Sequence, residues 1–151
     1  MNKRSPVNSL LLSTLAVFVA TTLLGAEEHR SITNRSDSLH ALCQRLAIGP
    51  GAAIADVGCG DGPDSMVFAS IVGERGTVLA QEIEPNKLKK VIETADQRGL
   101  HQVVAVLGQS DDPRLPDGYV NLIYMCRVFH HFARPRAMLE RMFQDLAPGG
   151  C

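Results

Sequence analysis

The chain predicts an α/β fold, a doubly wound parallel sheet that stops after about four strands. Three observations lead there. Apolar runs of strand length alternate with segments of helical period along residues 37–150. The first run, Ala52-Ala53-Ile54-Ala55, breaks into Asp56-Val57-Gly58-Cys59-Gly60-Asp61-Gly62, a glycine loop of the kind that carries a buried strand into a helix. The second run ends in an acid, Glu82, 20 residues after Gly62.

Each element has its own warrant. Leu39, Leu42, Cys43 and Leu46 recur at helical spacing, and Ser36-Asp37 ahead of them are N-cap residue types. Ile48-Gly49-Pro50-Gly51 stops that helix before the first strand. After the glycine loop, Asp64 to Val72 reads as a helix closed by Gly73. Gly76 to Gln81 is the second strand. Pro85 to Arg98 is the clearest helix, with Leu88, Val91, Ile92 and Ala95 on one face and Gly99 at its end. Val103 to Leu107 reads as a third strand. Tyr119 to Cys126 reads as a fourth, apolar almost throughout, as for a strand covered on both faces. Pro135 to Leu146 is a last helix with Met138, Leu139, Met142, Phe143 and Leu146 inward. Strand–helix alternation implies right-handed crossovers. Beyond Gly149-Gly150 the sequence ends at Cys151, which leaves the fourth strand as an apolar edge and gives the chain the look of a truncated domain.

Composition narrows the function. With 151 residues, 45% hydrophobic and 21% charged, the chain has material for one globular domain. Net charge is −1 and the strongest basic cluster is Lys87 with Lys89-Lys90, so no nucleic-acid surface is expected. Four cysteines, Cys43, Cys59, Cys126 and Cys151, have neither metal-type spacing nor the density of a disulfide framework. Buried free thiols are expected, although a Cys59–Cys126 bridge is conceivable in an oxidising compartment.

Residues 1–26 form a separate object. Lys3 and Arg4 precede an apolar stretch from Leu10 to Leu24, and Gly25-Ala26 lead into Glu27-Glu28. That order describes a secretory signal peptide. The stretch is short against the roughly 20 apolar residues of a membrane span. Leu24, three residues before the expected cut, is not ideal, so an uncleaved anchor stays open, as does a core helix. A linker over 27–36 then leads to the domain at 37–151. The implied location is export (periplasmic or extracellular) or membrane anchoring, and cytoplasmic if the signal is misread.

The glycine loop does not fit G-x-G-x-x-G. Counted from Gly58, the third glycine should stand at 63, which is Pro63, and Gly62 comes one residue early. Asp56 at the mouth of the loop would repel a pyrophosphate. A ligand bearing an ammonium, a sulfonium and one carboxylate escapes that objection, and the helix start offers N–H groups to its anionic part. D-V-G-C-G-D-G resembles motif I of the class I S-adenosylmethionine-dependent methyltransferases, nearest the type 11, ubiquinone-biosynthesis-like small-molecule group. The resemblance covers residues 37–150, the cofactor-binding half, where Leu146 to Gly150 resembles the family's turn into a fifth strand.

The resemblance implies a Rossmann-like sheet, S-adenosyl-L-methionine as cofactor and a small-molecule acceptor. It implies cofactor contacts from Asp56, Gly58, Cys59, Gly60 and Gly62. Glu82-Ile83-Glu84-Pro85 matches the family's acid-x-x-Pro, so Glu82 would take the ribose hydroxyls and Ile83 the adenine. Gly108-Gln109-Ser110-Asp111 replaces the usual Gly-Asp-Ala, leaving Gln109, Ser110 and Asp111 to share the adenine amine. His130 and His131 stand where the methyl donor would face, as base candidates; Arg127 is a candidate for a substrate anion. No third ligand accompanies the histidines, so no metal is expected. The expected function is methyl transfer. The alternatives are a non-catalytic truncated remnant and an NAD(P)-dependent oxidoreductase.

Overall fold

Four parallel strands in the order β3-β2-β1-β4 form the sheet of the computed structural model, which describes residues 34–151. The apolar segment at 10–24, read above as signal, anchor or helix, lies outside the described residues. Among the described residues no helix is long and apolar enough to cross a membrane. The strands are β1 (Ala53–Val57), β2 (Thr77–Glu82), β3 (Val103–Leu107) and β4 (Leu122–Met125); a first helix, α1, covers residues 34–45, followed by α2 (Pro63–Val72), α3 (Pro85–Gln97) and α4 (Pro135–Asp145).

The period of two along each strand sorts the core into two layers. Ile54, Val78, Ala80 and Leu122 pack with Phe68 and Val72 of α2, Leu88 and Val91 of α3, and Leu39 and Cys43 of α1. Ala55, Val57 and Leu79 point the other way and pack with Met138 and Met142 of α4. β1 lies between two partners, with Ile54 opposite Val78 on one side and Leu122 on the other. All five of its residues are buried.

Several boundaries differ from the reading of the sequence. Helix is already present at residue 34, so Ser36 and Asp37 lie inside α1 rather than capping it; Ser38 Oγ donates back to the Asn34 carbonyl at 2.8 Å. Leu46 falls beyond the helix and is exposed. β1 runs through Val57, which makes Asp56 a strand residue. β4 is shorter than predicted, and only Leu122 of its four residues is buried, because a full strand flanks it on one side only.

On α4 the spacing of four between Met138 and Met142 defines the inward stripe. Leu139 and Phe143, predicted inward, turn out to be 44% and 78% exposed. The predicted free edge of β4 is met by backbone bonds: Ala147 N–H donates to Val120 O, Cys151 N–H to Asn121 O, and Ile123 N–H to Cys151 O. Cys43, Cys59, Cys126 and Cys151 form no disulfide, with Cys126 half-buried and Cys151 exposed.

Candidate functional site

The C-terminal ends of β1, β2 and β4 open onto a cavity of about 550 Å³, within the range of small-ligand sites. Its floor is the glycine loop. Gly58 has φ of 71°, and a Cβ there would meet Val128 Cγ2 at 2.3 Å, so only glycine admits this bend beneath Val128. Gly62, with φ of 81°, caps α2 against Val91 of α3, and Pro63 then begins the helix at a position where no N–H is needed.

The loop is tied to the end of β2 by its own backbone. Gly58 and Cys59 N–H both donate to the Gln81 carbonyl at 2.9 and 3.0 Å, and Gly58 N–H also reaches Gln81 Oε1 at 3.2 Å. Gly60 N–H donates to Glu82 Oε2 at 3.1 Å, and Gly62 N–H to Cys59 O at 3.0 Å. These amides of the loop itself are therefore committed internally.

Glu82 is the polar centre of the site. It is buried, yet it is one of the residues that line the cavity. Ile83 N–H donates to Oε1 at 2.7 Å, Glu84 N–H at 3.4 Å, and the Lys87 ammonium lies 4.0 Å from Oε2. Each carboxylate oxygen has two lone pairs, so acceptor capacity toward the cavity is retained. Lys87 itself sits 2.6 Å from Glu84.

The other predicted residues divide. Gly58, Gly60, Glu82, Ile83, Gln109, Ser110 and His131 line the cavity. Ile83 is 53% exposed there. Asp56, Cys59, Gly62, Asp111 and His130 are not among the lining residues. Asp56 is buried and accepts from Ser65 Oγ of α2 at 2.7 Å, because its place in β1 turns it to the α2 side of the sheet. Cys59 is buried too; burial first, then the Asp56 and Glu82 carboxylates, push its thiol up to about 12, which leaves it protonated and unreactive. Asp111 forms an ion pair with Arg134, joining the loop after β3 to the start of α4.

Beyond β4 the chain passes through Arg127, whose φ of 58° is rare for a side chain with Cβ. A single turn of 3-10 helix, Phe129–His131, follows. The rings of His130 and His131 lie 4.0 Å apart at 42°, and Phe129 meets Phe132 edge-on at 5.8 Å. Among the described residues no cluster of His, Cys, Asp and Glu is arranged to hold a metal ion.

Lining residues that the sequence reading did not assign to the site are Glu84, Lys87 and Cys126, together with Gln81 and the apolar Val128, Phe132 and Met138. Gln81 carried a signal, a buried amide in an otherwise apolar strand; its Nε2 lies 2.0 Å from where a Cβ on Gly108 would be, so its side chain spans from the glycine loop to the loop after β3. Val128, Phe132 and Met138 carried none beyond being apolar.

Comparison with known proteins matches this layout. A family profile described as "Methyltransferase domain" matches residues 54–150. The ubiquinone/menaquinone biosynthesis C-methyltransferase of Vibrio vulnificus is 28% identical over 124 residues, which is 76% of this chain and 46% of that protein. Nocamycin O-methyltransferase of Saccharothrix syringae is 32% identical over 101 residues, 67% of this chain and 36% of that protein. A solved SAM-dependent methyltransferase from Aquifex aeolicus superposes with a TM-score of 0.68 at 26% identity, covering 72% of this chain and 58% of that one. The chain spans about half the length of the Vibrio relative.

Proposed function

This chain belongs to the methyltransferase-domain family, matched over residues 54–150, and from that premise we propose that it binds S-adenosylmethionine and serves methyl transfer to a small-molecule acceptor. The observation that carries this reading is Glu82. A buried carboxylate held by three backbone amides at the end of β2 is preorganised to accept a pair of vicinal hydroxyls. A ribose offers such a pair.

The cofactor would supply a methyl group activated on sulfonium sulfur, displaced in line by the acceptor. The chain's residues bind and align. Glu82 takes the ribose, Ile83 offers an exposed apolar face to the adenine, and Gln109 and Ser110 supply polar groups beside it. Glu82 and Glu84 at this end disfavour a pyrophosphate, which supports an adenosyl amino acid over a dinucleotide. His131 is the group placed to accept a proton from an acceptor hydroxyl. Holding two reactants in line can lower the barrier by roughly 7 kcal/mol or more, so a dedicated catalytic residue is not required. The relatives are named for transfer to carbon and to oxygen, and the small-molecule acceptor is inferred from them.

The test is transfer of labelled methyl from S-adenosylmethionine by the purified chain to a panel of phenolic, quinol and carboxylic acceptors. Turnover above a no-protein control supports the proposal. The absence of both turnover and cofactor binding contradicts it. For the N-terminal apolar segment the companion proposal is export or anchoring; recovery of the expressed chain wholly in the cytoplasmic fraction would contradict that.

A further inference from the structure

An adenosyl amino acid brings a carboxylate into the cavity, and the glycine loop has little to answer it. The amides of Gly58, Cys59, Gly60 and Gly62 all donate within the protein. Three side chains lining the cavity carry or can carry positive charge: Lys87, Arg127 and His131. Lys87 is already held by Glu84 at 2.6 Å, with Glu82 at 4.0 Å. Arg127 has no hydrogen bond or ion pair among the described residues. Its backbone takes the left-handed conformation that side chains with Cβ adopt reluctantly, and such strain gathers at ligand sites. The next residue, Val128, seats on Gly58, which sets Arg127 beside the glycine bend and on β4's side of the cavity, away from the β2 end that carries Glu82.

We propose that Arg127 binds the amino-acid carboxylate of the cofactor, an assignment that rests on the S-adenosylmethionine reading above. A guanidinium grips a carboxylate through two parallel hydrogen bonds and stays charged at any working pH. With Glu82 accepting from the hydroxyls and Arg127 donating to the carboxylate, the two charged side chains of the cavity complement the two polar ends of the ligand. A substrate anion is the rival ligand for Arg127.

The test titrates the full chain with S-adenosylhomocysteine and with methylthioadenosine, which keeps the adenosine and the thioether but lacks the amino-acid carboxylate. The parent should bind S-adenosylhomocysteine the more tightly. Arg127→Gln should weaken S-adenosylhomocysteine roughly tenfold or more, as for loss of a charged hydrogen bond, and leave methylthioadenosine unchanged; Arg127→Lys should keep part of the difference. Unchanged S-adenosylhomocysteine affinity in Arg127→Gln overturns the assignment in favour of the substrate anion. Equal weakening of both ligands also overturns it, by making Arg127 a structural residue. If the parent binds neither ligand, the cofactor reading falls and this assignment with it.

Discussion

The loop after β1 and the segment after β4 meet at one contact, Gly58 against Val128, and they are built in opposite ways. In the loop, backbone amides and the Glu82 carboxylate answer each other, and the residues that matter are glycines and one acid. Past β4 the chain relies on a strained Arg127 and one short helical turn, with Phe129 half-exposed and Leu139 and Phe143 turned outward on α4. At the far end of α4, Asp145 is fully buried with neither carboxylate oxygen hydrogen-bonded. Glu82 and Asp145 make the same point as a pair. One buried acid is held by donors and faces a cavity; the other is left to the cost of burial. A ligand contact is preorganised where the backbone closes around it, and the β2 end of this cavity meets that standard better than the β4 end.

The sharpest way to break the comparison is at its joint. Gly58→Ala places a Cβ 2.3 Å from Val128 in a backbone at φ of 71° and should destabilise the fold by about 2–4 kcal/mol, read by chemical denaturation. Adding Val128→Ala should recover about 1 kcal/mol, a coupling that shows the two regions lean on each other.

Asp145 gives the next largest effect. Burial raises its carboxyl from 3.8 to about 6, with the Arg141 guanidinium pulling the other way and Asp117 and Asp112 adding to the rise. The folded state therefore holds this proton more tightly than the unfolded chain does. Its contribution is full only below pH 3.8 and is lost as pH climbs from there through about 6. Asp145→Asn should remove that slope and gain on the order of 2 kcal/mol at pH 7, measured as denaturation midpoints across pH. The smallest effect belongs to the outward face of α4: Phe143→Ser, at 78% exposed, should shift stability by no more than about 0.5 kcal/mol.

The contrast also explains what could be read in advance. β3 came out at Val103–Leu107 as predicted, and the roles of Gly58 and Gly62 were legible because bends with positive φ call for glycine. The position of Glu82 followed from its distance to the loop. The orientation of Asp56 depended on where β1 ends, since one residue of strand decides which face a side chain takes. Gln81 acts through contacts to Gly58 and Gly108 that pair it with residues far along the chain. On α4 the apolar stripe is wide enough for two registers, and packing against Val57 and Leu79 chose Met138 and Met142 over Leu139 and Phe143.

The central claim is that the Glu82 carboxylate holds the sugar of an adenosyl ligand. Calorimetric titration of S-adenosylhomocysteine into the parent chain and into Glu82→Ala tests it most directly, with NAD as a control. The account predicts one site in the parent, affinity weaker by roughly 10- to 100-fold in the variant, and no heat from NAD. Equal affinity in parent and variant, or binding of NAD in place of the adenosyl ligand, would contradict it.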